Sequence, residues 1–115
     1  MTREAILYEK RPNGKVLCTA CARYCEMKKG QIGLCGVRGN ENGKLDLYVY
    51  GKVIAGHVDP IEKKPVIHYN PGSKIFSIAT TGCNWLCKYC QNSDISQRRK
   101  IEGVDMTPEQ VASTA

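Results

Sequence analysis

The seven cysteines constrain this chain more than any other feature, because they fall into two groups. Cys18, Cys21, Cys25 and Cys35 form a C-x2-C-x3-C-x9-C array, and Cys83, Cys87 and Cys90 form C-x3-C-x2-C. Residues 36–82 hold no cysteine. An odd total leaves one thiol over in any disulfide framework. Thiols stay reduced in the cytoplasm, and the cytoplasm is the expected compartment. No apolar run approaches the ~20 residues that cross a bilayer. The opening "MTREAILYEK" has neither the apolar core nor the cleavage site of a signal peptide. The division into four and three points to two metal sites, not to bridges.

The bulk properties set wide limits. A length of 115 residues fits one ordinary domain or two very small ones. With 42% apolar and 24% charged residues, the chain is not a disordered polyelectrolyte. The net charge of +6 counts every thiol as neutral. Thiolates bound to zinc and to an iron–sulfur core would bring it to about +3. The basic balance then reads as a lysine-rich surface, and a nucleic-acid partner is not expected.

Along the chain, "KVLC" (15–18) reads as a short strand entering the first cysteine group. "NENG" (40–43) reads as a turn. "KLDLYVY" (44–50) alternates apolar and polar residues, as a half-buried strand does. "VIAGHV" (53–58) is expected to pair with it as a hairpin. "DPIEKKP" (59–65) is a polar connector, and "VIHY" (66–69) is a further short strand. "KIFSIAT" (74–80) reads as a buried strand that runs into the second cysteine group. "MTPEQVASTA" (106–115) opens a helix, with Thr107 as N-cap, Pro108 at the first position and Gln110 closing a capping box. Met106 and Val111 are placed for a hydrophobic staple. The order strand, cysteine loop, helix lacks partner strands of its own and suggests a piece of something larger.

A closed thiolate site normally takes four cysteines. Three ligands on a cubane cluster leave one iron open to an exogenous molecule, so "TTGCNWLCKYCQN" (80–92) describes a site that acts on something bound. The alternative is a zinc site completed by a distant ligand such as His68 or Cys35.

The C-x3-C-x2-C spacing with Tyr89 before the last cysteine resembles the signature of radical S-adenosylmethionine (radical SAM) enzymes. The flanking sequence, from about Leu7 onward, is similar to the radical SAM protein of the AmmeMemoRadiSam group, whose members are likened to pyruvate formate-lyase activating enzyme. The resemblance implies that Cys83, Cys87 and Cys90 hold a [4Fe–4S] cluster and that SAM chelates the fourth iron. The implied reaction is reductive cleavage of SAM to a 5′-deoxyadenosyl radical that abstracts hydrogen, in the manner of a glycyl-radical activase. By resemblance Tyr89 lies near the SAM adenine. Asn92, just after Cys90, reads either as a hydrogen-bond donor to cluster sulfur or SAM or as the cap of a turn. The implied partners are SAM, an electron donor such as flavodoxin or ferredoxin, and a protein substrate. No membrane is implied. The fold implied is the first β-α unit of a partial TIM-like barrel, whose loop lies at the C-terminal end of a strand. The family extends well beyond this length, and its Gly-Gly-Glu motif has no counterpart among these residues. The 115-residue chain alone is therefore not expected to be catalytically competent.

Four thiolates between Cys18 and Cys35, with glycines around Cys35, suit a structural zinc knuckle or a second [4Fe–4S] cluster. A region this small has little core, so a metal would supply folding energy. The expected class is α+β. Residues 1–58 form a cysteine-rich metal-binding β region, 59–73 a connector, and 74–115 the start of an incomplete radical SAM core. Trp85 and Tyr89 are expected to shield the cluster from water. His57 and His68 read as hydrogen-bonded or surface residues, Asp59, Glu62, Lys63 and Lys64 as a solvated connector, and Arg98, Arg99 and Lys100 as a solvent-facing loop. Two rival functions are a zinc-ribbon binding module and a two-cluster electron carrier.

Overall fold

The computed structural model describes residues 2–97 and 100–115; the reading of Arg98 and Arg99 as a solvent-facing loop lies outside them. In chain order the strands are β1 (Arg3–Glu4), β2 (Tyr8–Lys10), β3 (Val16–Cys18), β4 (Glu26–Met27), β5 (Arg38–Glu41), β6 (Lys44–Leu47), β7 (Lys52–Val53), β8 (Ala55–Pro60), β9 (Lys74–Ala79) and β10 (Val104–Asp105). Two short helices, α1 (Ser93–Ser96) and α2 (Pro108–Thr114), flank β10. The sheets run β1-β6-β5 and β2-β3-β4, with separate pairs β8-β9 and β7-β10. Every strand pair among the described residues is antiparallel. No helix among them is long and apolar enough to cross a membrane.

Local chemistry explains the hairpins. Glu41 pairs with Lys44, which leaves Asn42 and Gly43 as a two-residue loop with φ of 55° and 88°. Two positive φ values match the twist of the flanking strands, and Asn-Gly is the pair that adopts them most easily. The turn expected at 40–43 is thus present. The strand at 15–18 is present as β3.

The core lies between the first two sheets. Ala5, Val16, Cys18, Met27 and Leu45 are buried together, with Tyr8, Cys25 and Leu47 packed against them. Asn40 is 0% exposed in this apolar setting. Its Nδ2 donates to the carbonyls of Gly14 (2.8 Å) and Met27 (2.9 Å), and its Oδ1 accepts from the Gly43 N–H at 2.8 Å. One side chain thereby ties β5, β4 and the β2–β3 turn together. A buried amide is stable here because its acceptor and both donors are used.

Several expected pairings differ. The strand at 44–50 ends at Leu47, and 48–50 curls into a turn that returns the Lys52 N–H to the Val49 carbonyl at 3.0 Å. The stretch 53–58 does not pair with it. Both edges of β6 are already taken, by β1 and β5, and a strand has only two. Instead β8 pairs with β9 from Ala55↔Ala79 to Pro60↔Lys74. That hairpin runs across the boundary expected at residue 58, so 61–73 is its loop. The stretch 66–69 forms no strand; it lies between Pro65 and Pro71, and Val66, Ile67 and Tyr69 are exposed. The strand at 74–79 is half-buried, not buried.

The hairpin loop is closed by side chains. Glu62 Oε1 accepts from the Gly72 N–H at 2.6 Å, and Lys63 reaches Asp59 at 3.1 Å. The Gly72 N–H holds the Glu62 carboxyl below its ordinary range, and Lys63 does the same for Asp59. At the C-terminus, α2 has the capping box expected: Thr107 Oγ1 accepts from the Gln110 N–H, and Gln110 Oε1 accepts from the Thr107 N–H.

Two predictions follow from these contacts. Asn40→Ala leaves the buried Met27 carbonyl, the Gly14 carbonyl and the Gly43 N–H without this partner, and should lower stability by about 2–3 kcal/mol in urea unfolding. Glu62 has a depressed carboxyl, so its contribution is full above the ordinary carboxylate range and lost as pH falls through the folded value. Amide exchange at Gly72 should therefore lose protection as acid takes the pH below the ordinary carboxylate range and through the depressed folded value, and Glu62→Gln should remove that pH dependence.

Candidate metal centre

The four N-terminal cysteines come from one folded corner. Cys18 ends β3, and its N–H donates to the Cys25 carbonyl at 2.9 Å. Cys21 lies in the turn between β3 and β4, where the Tyr24 N–H donates back to the Cys21 carbonyl at 3.3 Å. Tyr24 adopts φ of 44° to close that turn. Cys35 follows on the segment that leads into β5, in a turn where Gly36 N–H donates to the Gly33 carbonyl at 3.0 Å.

The second group lies on the loop between β9 and α1. The Trp85 N–H donates to Cys83 Sγ at 3.4 Å. Cys90 Sγ and Ser96 Oγ are 3.1 Å apart. Gln97 Nε2 donates to the Cys87 carbonyl at 2.6 Å, and the Gly82 N–H donates to the Ile95 carbonyl at 3.0 Å, which folds the loop back onto α1. All three thiols are partly exposed.

The two groups adjoin, although 1–58 and 74–115 read as separate regions. A cavity of about 470 Å³ is lined by Cys18, Cys21, Cys25, Cys35 and also Cys83. Gly82 makes this approach possible. A Cβ there would overlap Val37 Cγ1 and lie 3.1 Å from the Cys35 carbonyl oxygen, and its φ is +95°. Arg23 Nε adds a hydrogen bond to the Asn84 carbonyl at 3.3 Å. Sequence spacing carries no sign of this contact. The one local hint is a glycine directly before the first cysteine of the loop.

The fit to metals is chemical more than geometric. No three His, Cys, Asp or Glu side chains among the described residues converge closely enough to hold an ion. The donor sets do suit soft metals. Four thiols line one cavity, three more sit on one short loop, and N–H or O–H groups approach two of the loop sulfurs. Cys87 and Cys90 lie outside the cavity that holds Cys83.

The remaining expectations divide. Trp85 is 64% exposed and Tyr89 is 91% exposed, so neither shields the loop from water in this chain. Asn92 precedes α1 but makes no side-chain cap, and lines a small polar cavity with His57, Asp59, Lys63 and Lys64. His57 and His68 are exposed. Lys100 pairs with Glu102 at 3.1 Å.

The Gly82 contact gives a direct test. Gly82→Ala must accept a left-handed φ and displace Val37, so stability should fall by about 2 kcal/mol or more. The alkylation rate of Cys83 should rise as the two segments part.

No family model matches the chain, and no solved structure matches it. It is 45% identical over 115 residues to an uncharacterized protein of Methanocaldococcus jannaschii, MJ0808, in an alignment that takes in 98% of this chain and 34% of that protein. The chain therefore spans about a third of the length of the curated relative it matches.

Proposed function

We propose that this chain is the cluster-binding N-terminal part of a cytoplasmic radical SAM enzyme, with a partial TIM-like barrel as the fold of the whole. The observation that carries this reading is the C-x3-C-x2-C loop between β9 and α1, with three partly exposed thiols and donors beside Cys83 and Cys90. Cys83, Cys87 and Cys90 would hold a [4Fe–4S] cluster by three thiolates, which leaves one iron for SAM. When bound, that cluster supplies the electron that cleaves SAM and starts hydrogen abstraction from a substrate such as a glycyl-radical protein. The chain's own residues position the loop. Gly82 seats it against Cys35 and Val37, and Gln97 anchors the Cys87 carbonyl. The Trp85 N–H and Ser96 hydroxyl are placed to bond thiolate sulfur. Exposed Tyr89 is available to a nucleoside, and flavodoxin or ferredoxin would supply the electron. Cys18, Cys21, Cys25 and Cys35 would hold zinc, or a second cluster, as the structural centre of the β region.

Metal content after anaerobic purification and reconstitution tests this. The expected result is about four irons with matching sulfide and about one zinc per chain. Cys87→Ala should remove the iron and spare the zinc, and Cys25→Ala should do the reverse. About eight irons would make the first centre a cluster. About two zincs without iron would overturn the reading in favour of a zinc-ribbon module. A cluster whose electron paramagnetic resonance spectrum ignores added SAM would favour an electron carrier.

A further inference from the structure

Two residues in the wall of the cysteine-lined cavity carry buried polar atoms that lack partners. Arg38 Nη1 and Thr81 Oγ1 are buried and make no hydrogen bond. Both residues line the cavity with Cys18, Cys21, Cys25, Cys35 and Cys83, and Arg38 also lines a second cavity with Arg3, Ala5 and Tyr50. Thr81 is 1% exposed. They arrive from the two cysteine regions, Arg38 at the start of β5 just after Cys35, and Thr81 just before Gly82 and Cys83. Buried donors are rarely left unused, and each such group asks for a reason.

The chemistry of a tetrathiolate centre supplies one. Four thiolates around a dication carry two negative charges more than the metal offsets. The rest of the wall includes the apolar Met27, Leu34, Val37, Leu47 and Val49, which offset none of that charge, and a second guanidinium, Arg23, whose Nε is already bonded to the Asn84 carbonyl. A guanidinium brings positive charge and N–H donors, and a hydroxyl brings one O–H donor. Hydrogen bonds of this kind orient metal ligands and strengthen binding.

We propose that Arg38 and Thr81 are the outer donors of the Cys18–Cys21–Cys25–Cys35 metal centre, with Arg38 Nη1–H and Thr81 Oγ1–H bonded to its thiolate sulfurs. The proposal rests on reading those four cysteines as metal ligands. It has a consequence for the second group. Thr81 precedes Cys83 by two residues, so a metal in the first centre fixes the start of the three-cysteine loop. Arg38 and Thr81 act as positioning residues, through sulfur and not on any substrate.

The test is metal affinity of the 115-residue chain, by competition with a chromophoric zinc chelator. Thr81→Val and Arg38→Met should each weaken binding by about 10–100-fold. Thr81→Ser keeps the hydroxyl and should stay within about threefold of wild type. The metal-free protein should respond in the opposite sense. Thr81→Val replaces an unpartnered buried hydroxyl by a methyl of the same shape, so its urea midpoint should equal or exceed that of wild type. A merely structural Thr81 would lower both readings together. If the centre takes iron and sulfide, retention of iron against a chelator is read with the same variants. Wild-type affinity in both Thr81→Val and Arg38→Met overturns the proposal and leaves the metal reading standing. Equal metal content in wild type and Cys21→Ser overturns both.

Discussion

The close approach of Gly82 to Val37 and Cys35 is the contact on which the arrangement of the cysteines depends. Without a side chain at Gly82, the segment that begins the three-cysteine loop lies flat on the segment that carries Cys35. Thr81 is buried by the same approach, and Cys83 is brought to the wall of the cavity that the first four cysteines line. The Arg23–Asn84 hydrogen bond runs parallel to it. Two sequence-distant cysteine groups thus share one surface.

The rest of the molecule is lightly built. Among the described residues the buried apolar ones are Ala5, Val16, Cys18, Met27, Leu45, Val49 and Ile61, a small core for this length. Two of the elements that bound the cavity are two or three residues long. Asn40 compensates in part by satisfying three backbone groups at once. A metal held by thiolates would add cross-links where apolar burial is thin, as small metal-bound domains require. The ligand set and the shortage of core are two sides of one economy.

The turns and caps were readable because their causes are local. Asn42–Gly43 takes the two positive φ values that a tight hairpin needs, and Thr107 with Gln110 closes a capping box within four residues. The pairing of 53–58 was not readable, because alternation describes a strand's faces and not its partner. Edge occupancy decided that: β6 was full, and β9 was free. The strand expected at 66–69 is instead part of the loop that joins β8 to β9, set between two prolines that lack the N–H a ladder needs. The expected shielding by Trp85 and Tyr89 came from residue type alone, and exposure depends on what packs opposite.

By itself the sequence determined the donor chemistry: which thiols exist, their spacing, and their division into four and three. It also determined the resemblance on which the proposed function stands. Only the tertiary structure decided that the two groups adjoin, that Cys83 lines the cavity of the other four, and that Arg38 and Thr81, which carry unpaired buried donors, stand in its wall. The reason is physical. Ligand identity is carried by a residue's own atoms, whereas a shared cavity depends on the packing of backbones far apart in the chain, and here on one position with no side chain.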